Sequence, residues 1–140
     1  MSVEDNKAIE RRVIEEVFNQ GKLEIIPELL SPDYVYHGPG GMEFKGPEGF
    51  TQFVSMFRNA FPDINLKIQD MVAEGNKVLT RFTGSGTHQG ELMGIPPTGK
   101  QVATSGMVVV CVENGKCVEA WENFDQLLML QQLGAIPPNP

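Results

Sequence analysis

The residues whose chemistry asks to be traced first are the aromatic, the amide and the acid in AWENFDQL, residues 120–127. Asp125 stands where a strand-like run ends and an apolar helix, LLMLQQLG, begins. An aspartate there has two physical readings. It can cap the helix by accepting hydrogen bonds from backbone N–H groups, or it can be a buried acid at the closed end of a pocket, tuned for proton transfer. If Asn114-Gly115 makes a two-residue hairpin turn, Glu113 faces Lys116, and strict alternation sets Trp121 opposite Val108, Asn123 opposite Gly106 and Asp125 opposite Thr104. Trp121, Asn123 and Asp125 then share a face that suits the lining of a ligand cavity. Val109, Val118, Ala120, Glu122 and Phe124 take the other, mostly apolar face, which is free to meet helices or a second subunit. A bulge near Asn123 exchanges the two faces.

Two histidines are further candidates. His37, in VYHGP, ends a strand, where a backbone-satisfied ring competes with a ligand contact. His88, in GTHQG, lies beside a Gly- and Pro-rich loop and can either fix that loop or touch a ligand. The phenylalanines of PEGFTQFVSMFRNAF form one broad stripe that serves as core and, where it lines a cavity, as ligand box. No GxSxG elbow, GxxxxGK[ST] loop or dinucleotide fingerprint occurs, which argues against serine-nucleophile and nucleotide-cofactor chemistry. The two cysteines flank a single turn in CVENGKC and in this register point to opposite sheet faces, so no disulfide is expected. With no CxxC or HExxH spacing, no metal is expected either. Acid/base chemistry by one carboxylate in an apolar pocket remains, or plain binding.

These residues depend on the elements that carry them. Residues 4–20 have helical apolar spacing and stop at Gly21, and LEIIPELL reads as a second short helical element. DYVYH is a strand, GPGG a turn, MEFKG a short strand, and a third helix begins at Pro47. Two hairpins follow, turning at Gly75-Asn76 and Asn114-Gly115, with ELMGIPPTGK as the loop between them near the pocket mouth. Helices first and antiparallel hairpins afterwards predict an α+β fold, one domain over residues 1–140, in which helices cover a curved sheet and enclose a pocket.

Composition narrows the partners. The net charge of -7, with scattered Lys and Arg, argues against nucleic acid. No apolar run reaches the roughly 18 residues of a membrane span, so the reading is a soluble, cytoplasmic protein.

Taken together, PDYVYHGP, the helix ending in AFPDI, GTHQGELMGIPPTGKQV and the closing GKCVEAWENFDQLLMLQQLG resemble the SnoaL-like polyketide cyclase family of the NTF2-like superfamily. The resemblance implies a cone-shaped barrel, with a curved, mostly antiparallel sheet packed on three helices from the N-terminal half. It implies cofactor-free intramolecular aldol condensation of a hydrophobic carbonyl substrate. The acid/base aspartate of the WxxxD ending falls on Asp125, and His37 matches a polar pocket position on the first strand. A histidine that some cyclases carry on the penultimate strand has no counterpart in VVVCV. In this mechanism Asp125 is walled by Trp121, Phe57 and Met56, which desolvate it and strengthen it as a base, while His37, His88 and Asn123 are candidates to contact the substrate. The alternatives are an isomerase or hydrolase of the same superfamily, or a non-catalytic binding or scaffold domain. The outer sheet face is expected to form a homodimer or larger homo-oligomer.

Overall fold

The chain opens on a reciprocal cap. In the computed structural model, which describes residues 2–137, the Asp5 N–H donates to Ser2 Oγ and the Ser2 N–H donates to Asp5 Oδ2, each at 3.1 Å. Helix α1 (Val3–Arg12) follows and runs on as π-helical turns over Val13–Asn19. Gly21, at φ +73°, ends the segment in the left-handed conformation that glycine adopts without strain. Along this helix Asn6, Glu10, Val13 and Val17 fall on one buried stripe. A 3-10 turn (Leu23–Ile25) leads into the short α2 (Ile26–Leu29), then strand β1 (Leu30–His37), a 3-10 turn (Pro39–Gly41) and β2 (Glu43–Lys45). Helix α3 (Gly46–Ala60) buries Phe50, Phe53, Val54 and Phe57, the expected stripe.

Two hairpins and a last helix complete the chain: β3 (Asn65–Glu74), β4 (Lys77–Thr87), β5 (Gln101–Glu113), β6 (Lys116–Phe124) and α4 (Gln126–Gln132). The six strands form one sheet in the order β2-β1-β6-β5-β4-β3. All neighbours are antiparallel except β1 and β6, which run parallel. The α+β architecture with a mostly antiparallel, curved sheet is as expected, but the sheet stays open between β2 and β3 rather than closing into a barrel, and α4 joins the three N-terminal-half helices in covering it. Helix α3 packs on β1 and β2, α1 on β3 and β4, and α4 on β5.

One residue changes the side-chain geometry of the last strand. The β5–β6 turn is as anticipated, with Asn114 and Gly115 at positive φ and Glu113 paired with Lys116. Val112 pairs with Cys117, but Cys111 then pairs with Glu119, so Val118 is an extra residue in β6. From there Ala120 faces Val110, Glu122 faces Val108 and Phe124 faces Gly106. Side chains alternate with period two, so a one-residue bulge inverts every later assignment. Trp121 and Asn123 therefore stand on the outer face, and Ala120, Glu122 and Phe124 on the inner one, the reverse of the unbulged register. Cys117 is buried and Cys111 half-buried, both free thiols, as the opposite-face reading requires.

Candidate functional site

The inner face of the sheet and the aromatic faces of the helices leave a deep, open-mouthed cleft with a cavity volume of about 100 Å³. Its walls are overwhelmingly apolar. Helix α3 contributes Phe50, Phe53 and Phe57, Phe61 follows it, and Phe18, Phe82 and Phe124 close the sides. Phe57 meets Phe53 at 5.2 Å and Phe124 at 5.9 Å between ring centroids, both edge-to-face. Gly84, Gly86 and Gly106 line or flank the cleft, and at Gly106 a Cβ atom would lie 2.7 Å from Phe82 Cζ and 2.8 Å from Phe124 Cβ. A side chain at that position would displace the aromatic wall.

The ionisable groups on this wall are Glu10, Glu122, Tyr34, Tyr36 and Cys117, with no Lys, Arg or His among the lining residues. Glu122 reaches in from β6, and Tyr34 and Tyr36 from β1, two residues apart and therefore on the same face. The Tyr36 hydroxyl donates to Glu122 Oε1 at 2.8 Å. The residue keeps some accessible surface because it fronts the cleft, yet its carboxyl is enclosed by protein, and burial pushes its pKa up to about 7 against the lowering effect of the Tyr36 hydrogen bond. Glu10 projects from the last turn of α1 and is 2% exposed. Burial, with the negative charge of Glu122 second, pushes its pKa up to about 8. Its Oε2 has no hydrogen-bond partner among the described residues. Desolvation raises both tyrosine hydroxyls and the Cys117 thiol in turn. The wall can thus hold one carboxylate and one neutral carboxylic acid together near neutral pH, a pair able to take up and give back a proton in an apolar space.

Of the residues expected in the site, Phe57 lines the cleft and the other six do not. Asp125 is exposed at the start of α4, where its Oδ1 accepts the Leu128 N–H at 3.0 Å, so it caps the helix. Trp121, 40% exposed, and Asn123 are on the outer face because of the Val118 bulge. His37 is brought against Trp121, stacked at 5.7 Å, with Nε2 2.7 Å from Glu119 Oε2, also outside the cleft. Met56 packs half-buried against the core behind the lining stripe. His88 is fully buried beside Phe61, where Nδ1 accepts the Thr98 N–H at 3.2 Å and pins residues 88–100 back on themselves. That loop docks on the end of α3 through Gln89 and Gly90 N–H bonds to the Ala60 carbonyl, but adds no side chain to the cleft.

Glu10 and Glu122 were missed, although each left a trace. Glu10 occupies an apolar-stripe position of the first helix, between Asn6 and Val13, and Glu122 interrupts a face otherwise made of Val118, Ala120 and Phe124. An acid on a face that must be buried calls for a reason. The i, i+2 pair Tyr34 and Tyr36 in DYVYH carried the same signal more weakly.

With this geometry in hand, similarity to known proteins is specific. A model of the SnoaL-like polyketide cyclase family matches residues 8–133. The aklanonic acid methyl ester cyclase DnrD of Streptomyces peucetius is 28% identical over 93% of this chain and 91% of its own length. Among solved structures, IdmH of Streptomyces antibioticus, provisionally a polyketide cyclase, is 35% identical over 92% of this chain and 98% of its own, with a TM-score of 0.81. AclR of Streptomyces galilaeus, provisionally a hydroxylase, is 30% identical over 99% of this chain and 87% of its own, with a TM-score of 0.87.

Proposed function

The chain belongs to the SnoaL-like polyketide cyclase family, and we propose that it closes a ring in a hydrophobic polyketide by intramolecular aldol condensation, with Glu122 as the acid/base group. The observation that carries this reading is the Glu122 carboxyl, enclosed on an apolar wall, held by Tyr36 and raised to about 7. A base of that strength is half ionised near neutral pH and leaves behind an acid strong enough to return the proton. The Glu122 carboxylate takes the proton from a carbon flanked by carbonyl groups. The resulting enolate carbon bonds to a ketone carbon of the same molecule, whose C=O π electrons move to oxygen. The protonated Glu122 then delivers its proton to that oxygen. One C–C bond forms, one proton returns and no redox change occurs, so the step asks for no cofactor. The aromatic walls supply the remaining requirement, which is to fold a flexible substrate so that the two carbons meet.

The lining also favours a substrate class. A free carboxylate would enter a space with two acids and no basic partner, an unfavourable desolvation, whereas an ester enters uncharged. DnrD is named for a methyl ester substrate, which supports an esterified polyketide here too. The test is turnover of aklanonic acid methyl ester by Glu122→Gln and Asp125→Asn. The first should lose activity by roughly 100-fold to 10,000-fold, as for a lost general acid/base, and the second should keep it. Loss in Asp125→Asn with activity kept in Glu122→Gln would return the acid/base role to the WxxxD aspartate.

The same reading includes a cytoplasmic homodimer. The free thiols of Cys111 and Cys117 suit a reducing compartment. The outer sheet face leaves Trp121, Met107 and Val72 at 40%, 51% and 57% exposure, an apolar surface of the kind that marks an interface.

A further inference from the structure

Glu10 is a buried carboxyl that the acid/base step above does not use. It lies on the cleft wall, almost without solvent, and its Oε2 has no partner among the described residues. A buried polar atom left unpaired has given up its water hydrogen bonds with no replacement, a penalty heavier still for a charged group, so such an atom fronting a ligand cavity calls for a ligand to complete it. We propose that Glu10 is a second catalytic residue, a neutral carboxylic acid whose Oε2–H donates a hydrogen bond to the substrate oxygen on which negative charge develops as Glu122 removes the carbon-bound proton. The proposal rests on the cyclase reading of Glu122.

The assignment of roles follows from the surroundings of each acid. The titratable groups that face Glu10 are Glu122 and Cys117 from β6 and Tyr34 from β1. None is a cation, so nothing nearby stabilises an ionised Glu10. Two carboxyls sharing an apolar wall ionise one after the other rather than together. Glu122 has the Tyr36 hydroxyl as a donor, whereas Glu10 Oε2 has none among the described residues, so the shared charge resides on Glu122 and the shared proton on Glu10. That division places a base and a donor on one wall. When Glu122 takes the carbon-bound proton, the electron pair of the C–H bond moves onto the enolate oxygen, and the Glu10 hydroxyl binds that oxygen more tightly than it bound the neutral carbonyl. The hydrogen bond is thus stronger in the transition state than in the ground state, as catalysis requires. Glu10 keeps its proton throughout, so the proton balance is the one already given for Glu122.

The experiment compares wild type with Glu10→Gln, Glu10→Leu and Glu122→Gln in two assays. In turnover of aklanonic acid methyl ester, Glu10→Leu should lose roughly 100-fold to 1,000-fold in kcat, the range for a deleted oxyanion donor, with KM little changed. Glu10→Gln should recover a large part, because an amide N–H reaches the same oxygen. In a binding titration, 2-naphthol, whose ionised form mimics an enolate, should bind wild type and Glu10→Gln more tightly than Glu10→Leu. Equal kcat in Glu10→Leu and wild type, with Glu122→Gln inactive, would overturn the Glu10 proposal and leave the cyclase reading standing. Full activity in Glu122→Gln would sink that reading instead. Should wild type not turn over this ester, the titration decides: Glu10-dependent naphthol binding supports the donor, and equal affinity across the three proteins refutes it. Retained melting transitions in both Glu10 variants separate a lost donor from a lost fold.

Discussion

Replacing Glu10 with Gln should make the protein's stability much less sensitive to pH, and the size of the change follows from the burial of this one carboxyl. In the unfolded chain the group titrates near its ordinary value of 4.5, and in the folded protein at about 8. Between those values the native state holds a proton that the unfolded chain has released. The unfolded state therefore binds fewer protons, and stability falls as pH rises, by about 1.4 kcal/mol per pH unit for one proton. Across the whole interval the Glu10 carboxyl removes on the order of 5 kcal/mol, a loss that is complete once pH passes the folded value and absent below the unfolded one. An amide of nearly the same shape cannot titrate. Any fixed cost of burying it is the same at every pH, so the informative quantity is the difference between wild type and Glu10→Gln as a function of pH. Urea unfolding from about pH 5 to about pH 8.5, extrapolated linearly to water, should show the variant gaining several kcal/mol on wild type toward the alkaline end. A difference constant to within about 1 kcal/mol over that range would mean that Glu10 ionises freely when folded, and would refute the account of the buried acid pair.

Four other outcomes are expected. Tyr36→Phe removes the hydroxyl that lowers the Glu122 pKa, so the acid limb of the kcat/KM profile should move to higher pH; an unmoved limb would mean that another group titrates. Asp125→Ala should cost about 1 kcal/mol in denaturant unfolding through loss of the α4 cap while turnover stays near wild type, whereas Asp125→Asn should be close to neutral in stability. Gly106→Ala forces a methyl group against Phe82 and Phe124 and should lower stability by roughly 1–3 kcal/mol, as overpacking does, with weakened substrate binding seen as a raised KM. Trp121→Arg on the exposed outer face should leave turnover intact and shift sedimentation toward the monomer.

The sequence by itself determined the elements, their order and the fold class, because those depend on local periodicity and punctuation. The Phe50, Phe53, Val54 and Phe57 stripe, the Gly21 stop and the Asn114-Gly115 turn each act within a few residues, and the motifs that resemble the cyclase family lie along the chain in order. It also gave Phe57 its place on the cleft. Which acid faces the cavity was decided by the tertiary structure. That depends on a single surplus residue, Val118, in a ladder whose side chains alternate with period two. Nothing in KCVEAWENFD distinguishes a bulged strand from a straight one, since both bury a plausible mixture: Trp121 and Asn123 in one case, Ala120, Glu122 and Phe124 in the other. The choice is made by packing. Phe124 fits beside Gly106 and against Phe57, and Tyr36 meets Glu122 only when β1 lies alongside β6 in parallel, a contact between residues 86 positions apart. The raised pKa values of Glu10 and Glu122 arise in the same way, from desolvation by strands and helices distant in the chain, and no local pattern encodes the solvent that folding removes.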